Sequence, residues 1–340
     1  MTLGDGIRRN IASVDPSERV LFIDAFKQLN DNNHKFPGTR SDSPAAGGVT
    51  WWFKQDENHQ STHVHHGPEF VPWHRELMNR MEEMLRQINP LLSLHYWDWT
   101  QDPRAIPNAN LGGGTTGTLS LFTSDFMGYG GLTDQLIGEP WLSAGYYVPG
   151  ASPAREDTDN PADPPEGRPG LRHCWRHVGG PGTSPSTSAR DNGVLNAPDY
   201  VNMRTRLEGI HDDMHGFVNM GDLHRSFEDP FVFLLHSNQD RLFARWQTDP
   251  AHPERLDPNT VYGTESGTLD VLVEPWSTGH AIDTFGVEHF ERPWCPPESQ
   301  GNPHTYKHPS IVTPPQYDTN LPVTPTLINF WMLKHWMSRG

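Results

Sequence analysis

The sequence predicts a mainly α protein, a helical bundle with long irregular loops and a few short strands. Three observations predict it. Apolar residues recur at helical spacing in several separate stretches. Between and after those stretches, many of the 31 Gly and 32 Pro residues fall in segments with no periodicity, which read as loops. Two histidine clusters adjoin the helical stretches, as metal donors of a bundle core would.

Taken in order, Asp15-Pro16-Ser17-Glu18 reads as a helix start, with Asp15 as N-cap and Pro16 in the first turn. Phe22, Ala25, Phe26 and Leu29 follow at helical spacing. After a loop over Phe36–Gly48, Trp51–His59 reads as a short helix with Trp52 and His59 on one face. Pro72 can open a third helix, striped by Leu77, Met81, Met84, Leu85 and Ile88 and stopped by Asn89-Pro90. Leu94–Trp99 alternates like an extended segment. Residues from about Gln101 to Asp199 are mostly loop-forming, including Gly112-Gly-Gly-Thr-Thr-Gly. A fourth helix is expected over Tyr200–Phe217 and a fifth over Asp229–Gln247. The remainder is Pro-rich and ends in an aromatic amphipathic piece, Leu327–Trp336, a candidate to dock on an apolar groove. Residues 1–250 are therefore expected to form one metal domain, with a loop insertion over about 101–199. Residues 251–340 form an irregular extension packed on it.

Hydrophobic residues make up only 34% of the 340, yet 12 are Trp and 15 Phe, so the core must be aromatic-rich with much loop outside it. A formal charge of −16 argues against nucleic acid and anionic membrane surfaces as partners. No apolar run approaches the ~18 residues of a membrane-spanning helix. Met1–Asn10 shows no signal-peptide pattern, so a cytoplasmic location is expected, with secretion by a partner left open.

The first histidine cluster runs His59, His63, His65, His66 and ends at His74; the second is His211 and His215, with His236 on the next predicted helix. Imidazole suits copper, zinc, iron and nickel, and two sets of three would hold two ions without carboxylate or thiolate. Cys174 and Cys295, the only cysteines, cannot supply a thiolate cage, and whether they pair is open. His211 and His215 are four residues apart, so a helix projects both from one face. Alone, such a pair reads as two surface histidines; His236 as a third donor makes it a ligand set. His74 alone would read as a hydrogen-bonded core residue, but the four histidines upstream favour ligation.

Two rival motifs match only in part. His211-Asp-Asp-Met-His215 lacks the catalytic Glu of the zinc hydrolases' His-Glu-x-x-His and the downstream Gly and His of its extended form. Glu208-Gly-Ile-His211 matches the Glu-x-x-His of carboxylate-bridged di-iron bundles, which require two copies; the chain has one.

The combination resembles a known family, the type-3 copper proteins: tyrosinases, catechol oxidases and related polyphenol oxidases. The resemblance covers roughly Arg8–Trp246. It is carried by Phe70-Val-Pro-Trp-His-Arg75, Tyr96-Trp-Asp-Trp99, Leu207-Glu-Gly-Ile-His-Asp-Asp-Met-His215, and the stretch from Asp229-Pro230 through His236-Ser-Asn-Gln-Asp240-Arg241 to Trp246. It implies a four-helix-bundle core holding a dinuclear copper site. His65 and His74 would be two ligands of the first copper, and His211, His215 and His236 the three of the second. For the remaining ligand His59 is the choice; His63 fits if its helix continues, and His34 is a third option. Asp240 would pair with an arginine near the N-terminus, here Arg9. The sequence also departs from the family pattern. Position 63 is histidine, so the family's cysteine–histidine thioether is absent. The usual phenylalanine of the Asp-Pro segment is Val232, so packing near the second copper must differ.

The resemblance implies dioxygen-dependent oxidation of ortho-diphenols, and of ortho-aminophenols, to quinones or quinone imines, with ortho-hydroxylation of monophenols in addition. Asp212 and Glu208 are the candidate catalytic carboxylates. Where the family places a water-holding Glu, this chain has Asn202, and Asp212 follows the first ligand of the second copper. Asp212 can serve as a base or as a charged partner to an imidazole. The implied partners are a small phenol and O2, with a homo-oligomeric copy and a copper-delivery protein left open. Two other readings stay open: a haemocyanin-like oxygen-binding protein on the same coppers, and a zinc hydrolase.

Overall fold

Asp15 accepts a hydrogen bond from Ser17 N at 3.0 Å, and Pro16 supplies a preset φ, so helix α1 starts where the sequence says and runs Pro16–Gln28. The computed structural model describes residues 2–31, 33–34, 51–52, 55, 59, 64–143, 174–220, 226–269, 272–273, 304–307 and 309–320. The expected loop at Phe36–Gly48, His63, Cys295 and Leu327–Trp336 lie outside the described residues. Trp51, Trp52, Gln55 and His59 occupy helical positions, in line with a helix there.

Helix α2 spans Phe70–Ile88. It opens two residues before Pro72, which a first turn tolerates because those N–H groups have no intrahelical acceptor. It ends at Asn89, extended ahead of Pro90. Beyond it, Tyr96 bridges Asn10, and Trp97 N donates to Leu234 O at 3.0 Å, so the extended 94–99 segment lies along a later helix.

The stretch expected to be loop holds more structure than its composition shows. Strands β1 (Ile106–Gly112) and β2 (Thr115–Leu119) form an antiparallel hairpin. The Gly-rich run is its turn: Gly112, Gly113 and Gly114 all have positive φ, between 59° and 90°. Strands β3 (Gln135–Leu136) and β4 (Trp175–Arg176) pair across the insertion. Helix α3 (Ser188–Leu195) is unexpected; Thr187 caps it, but it buries only Asp191 and Val194, so no apolar stripe marks it in the sequence.

Helices α4 (Tyr200–Phe217) and α5 (Phe231–Gln247) fall where the sequence places them, with Asp229 accepting from Phe231 N at 2.9 Å just ahead of α5. Helix α5 is buried on nearly every side and packs against α2, α3 and α4, while α1 packs on α2. Among the described residues six tryptophans are fully buried, Trp52, Trp73, Trp97, Trp99, Trp141 and Trp246, in line with the aromatic core the composition requires. No helix among the described residues is long and apolar enough to cross a membrane.

A charged network ties the ends of the described chain to this core. Arg8 donates to Asp240 Oδ2 and to Tyr317 Oη, both at 3.0 Å, and to Glu82 Oε2 at 2.9 Å. Arg75 donates to the other Asp240 oxygen and to Gln247. Tyr317 Oη donates to Asp240 Oδ2 at 2.8 Å. The arginine partner of Asp240 is thus Arg8 and not Arg9. The N-terminal segment is extended and alternates sides, so Arg8 points inward beside Tyr317 while Arg9 turns out to Asp5, 2.6 Å away.

Candidate metal centre

Six imidazoles from different parts of the chain meet between α2, α4 and α5. His74 lies in the second turn of α2, His211 and His215 on α4, and His236 near the start of α5. His65 sits in the turn before α2, and His59 occupies the helical position expected of it. His59, His74, His211, His215 and His236 are buried and His65 is half-buried. Within the second expected triad, ring centroids lie 4.3 Å (His211–His215), 4.9 Å (His211–His236) and 5.1 Å (His215–His236) apart. Within the first, the separations are 5.0 Å (His59–His65), 5.1 Å (His65–His74) and 5.5 Å (His59–His74).

The second triad closes, with one nitrogen of each ring within 4.8 Å of the others. The first closes less tidily. His74 groups with His59 and His236 on one side and with His65 and His211 on the other, and it stacks on His236 at 4.8 Å and 10°. The rings interleave as one cluster spanning both half-sites. His34 is elsewhere, bonded to Asp31 at 2.8 Å and set edge-on to Trp51.

The donor set fits a metal pair. The Nδ1 atoms of His74, His215 and His236 donate to the carbonyls of Phe70, Met220 and Val232 at 2.7, 2.7 and 2.9 Å. That fixes the tautomer with the Nε2 lone pair turned into the cluster. The Nε2 atoms of His74 and His215 are buried and meet no hydrogen-bond partner among the described residues. His211 Nε2 and His236 Nε2 face each other at 3.0 Å. Burial, then the neighbouring imidazoles, hold His74, His211 and His236 well below the ordinary histidine range, and burial pushes His215 down to about 4. Neutral imidazoles with inward lone pairs are what a cupric or cuprous ion needs.

Local sequence accounts for the His215 contact. Asn219 adopts φ 52° after the end of α4, and Met220 N returns to His215 O at 2.7 Å while Asn219 N reaches Gly216 O at 3.3 Å. This helix-ending reversal carries Met220 O onto the His215 ring. Val232 contributes its carbonyl to His236 whatever its side chain. An aromatic ring does reach this cluster, but it is that of Phe227, which lies 4.4 Å from His59 and 4.9 Å from His236. Ser226 Oγ stands 3.4 Å from His59 Nδ1. Neither Ser226 nor Phe227 was marked by any motif.

The carboxylates divide in their settings. Asp212 Oδ1 lies 2.9 Å from His211 Nδ1, with its side chain 45% exposed at the rim. Burial of its inner part raises its pKa. Glu208 is buried and accepts from His66 N at 2.5 Å; burial raises its pKa as well, against that backbone bond. Asn202 is exposed and bonded to Asp199 at the start of α4, away from the cluster.

Residues 32–249 match the family model described as the common central domain of tyrosinase. The chain belongs to the tyrosinase family. Tyrosinase-family proteins carry a dinuclear copper centre with six histidines, and the cluster described above can form it. A tyrosinase from Streptomyces lincolnensis is 28% identical over 242 residues, covering 64% of this chain and 76% of that protein. Grixazone synthase from Streptomyces griseus is 29% identical over 249 residues, covering 66% and 80%. A haemocyanin from Enteroctopus dofleini is 27% identical over 254 residues, 72% of this chain but 18% of that much longer protein. Among solved structures, a point mutant of a polyphenol oxidase from Thermothelomyces thermophila aligns with TM-score 0.54 and 18% identity, over 92% of this chain and 87% of that one. This supports the mainly helical tyrosinase-type fold.

Proposed function

We propose that this tyrosinase-family copper oxidoreductase oxidises ortho-diphenols, and ortho-aminophenols, to ortho-quinones or quinone imines with dioxygen. His59, His65 and His74 would hold one copper, and His211, His215 and His236 the other. The observation that carries the reading is the asymmetry of burial. Five imidazoles are sealed, whereas His65 is only partly buried, beside an exposed His66 and a rim carboxylate, Asp212. A flat phenolic ring reaching the cluster from that side meets His65 first. The copper pair, when bound, supplies the two-electron chemistry with dioxygen and a Lewis-acid grip on the phenolate oxygen.

The protein's own task is to keep donors neutral, oriented and dry. The carbonyls of Phe70, Met220 and Val232 fix three tautomers, and Asp212 fixes that of His211. Monophenols are harder substrates. Ionising a phenol of pKa ~10 at pH 7 costs about 4 kcal/mol, which a base or the metal must offset. Asp212 is the nearby carboxylate, and its hydrogen bond to His211 supports a role as partner to that imidazole over one as free base. Diphenol-type oxidation is therefore the main activity proposed.

Steady-state rates on matched catechol, ortho-aminophenol and monophenol, with copper measured on the same sample, test this. Two coppers per chain with quinone formed fastest from catechol is the expected result. Two coppers, reversible oxygenation and no quinone would establish an oxygen carrier instead. Asp212→Asn, which keeps an oxygen for His211 Nδ1–H, is expected to lower catechol and monophenol turnover by similar factors. A selective loss of monophenol turnover would make Asp212 the base.

A further inference from the structure

Helix α4 does more than present His211 and His215. Tyr200, Glu208, His211 and His215 share one of its faces, at spacings of eight, three and four residues. The first two grip the turn that carries His65. Tyr200 Oη donates to Pro68 O at 2.6 Å, and Glu208 Oε1 accepts from His66 N at 2.5 Å. Both are buried, Tyr200 at 1% and Glu208 at 5% exposure. His66 has φ 61°, a left-handed conformation that a residue with a side chain seldom adopts without support from its surroundings. The other Glu208 oxygen faces Arg204 at 4.0 Å, and that guanidinium is held by Glu265 at 2.6 and 2.8 Å. The carboxylate is thus fixed on its inner side by a backbone donor and on its outer side by a braced cation.

We propose that Glu208 is a positioning residue for His65: it holds the His65–Gly67 turn in its left-handed bend, so that a carboxylate on the second copper's helix sets a ligand of the first. Tyr200 is the auxiliary clamp on the same turn. This rests on the proposed assignment of the six imidazoles to two coppers. It gives Glu208, a candidate catalytic carboxylate by sequence, a structural task in place of a chemical one. It also makes the half-sites unequal, because the His65 turn depends on α4 being formed, whereas His211 and His215 are on that helix already.

The test is copper binding against a competing chelator, read as ions retained per chain, with thermal unfolding of the copper-free protein measured in parallel. His65→Ala and His215→Ala serve as references for a damaged first and second half-site. Wild type is expected to retain two ions. Glu208→Leu should retain one tightly and hold the other roughly 10–100-fold more weakly, matching His65→Ala. Glu208→Gln, whose amide oxygen still accepts from His66 N–H, should restore the second ion. Tyr200→Phe, which keeps the ring in place, should weaken the same ion by a smaller factor. The proposal is overturned if Glu208→Leu holds both ions as wild type does, or loses both alike. It is also overturned if Glu208→Gln holds both ions yet loses turnover, which would mark a proton-handling group. A wild-type chain that never retains two ions would instead refute the ligand assignment beneath the proposal.

Discussion

Tyr317→Phe removes one oxygen from the centre of the buried charge network. The rest of the ring's environment survives: it sits edge-on to Tyr96 at 5.9 Å, and the Arg8 guanidinium lies 5.5 Å from its centre. No cavity forms, because the volume barely changes. Asp240 keeps Arg8 and Arg75, and Arg8 keeps Asp240, Asn79 and Glu82. What disappears is the 2.8 Å bond that Tyr317 Oη donates to Asp240, together with the 3.0 Å bond it accepts from Arg8, which keeps its three other partners. Burial raises the phenol's pKa, so the hydroxyl carries its proton across the working range. A hydrogen bond to a buried charge contributes about 1.5–3 kcal/mol, so a loss near 2 kcal/mol is expected. For a large domain that corresponds to a fall in Tm of roughly 4–8 °C. Calorimetry and urea unfolding of the copper-free protein would measure it without interference from metal affinity. A change under ~0.5 kcal/mol would show that the segment at Tyr317 melts independently of α5, and the network's place in the cooperative core would be refuted.

Three further outcomes follow from the same reasoning. Burial alone would raise Glu82, but Arg8 and Arg86 bring its pKa down from 4.5 to about 2, so its stabilising contribution is complete above pH ~4.5 and is lost as pH falls toward 2. At 1.36 kcal/mol per unit this is about 3 kcal/mol, and Glu82→Gln should flatten that part of the acid unfolding curve by a similar amount; an unchanged curve would remove Glu82 from the account. Arg176 is fully buried, grips both oxygens of Asp229 and donates to Tyr129 O at 2.9 Å, so Arg176→Met should destabilise by about 3–5 kcal/mol in urea unfolding. Phe227→Leu removes ring contacts to His59, His236 and Phe233 and should cost about 1–3 kcal/mol in the copper-free protein, read by the same assay.

What the sequence made legible is what local spacing encodes. His211 and His215 announce one helix face, and Asp15-Pro16 announces a helix start. What it hid depends on contacts between distant segments. Nothing near Glu208 names His66, 142 residues away, as its partner. Arg8 and Arg9 are equivalent in a string of letters, and only the strand-like alternation beside Tyr317 selects the first. Helix α3 escaped because it is short and buries two residues, one of them an aspartate that accepts from Trp99 Nε1 at 2.9 Å. The β1–β2 hairpin escaped because its three consecutive glycines read as slack chain, although positive φ at each is what a tight reversal demands. Phe227 escaped for a related reason: a ring reaching the cluster from outside the helix has no fixed offset from the ligands it touches.

The bridge between Arg8 and Tyr317 joins residues 309 positions apart, and vectorial synthesis delivers the first long before the second. While the chain is still on the ribosome, Arg8, Glu82 and Asp240 can meet, but the phenol that completes their bonding has not been made. The bonding around Asp240, on the helix bearing His236, is therefore complete only once residue 317 has emerged. All six imidazoles thus precede in the chain the phenol that completes the bonding of Asp240, four residues beyond His236.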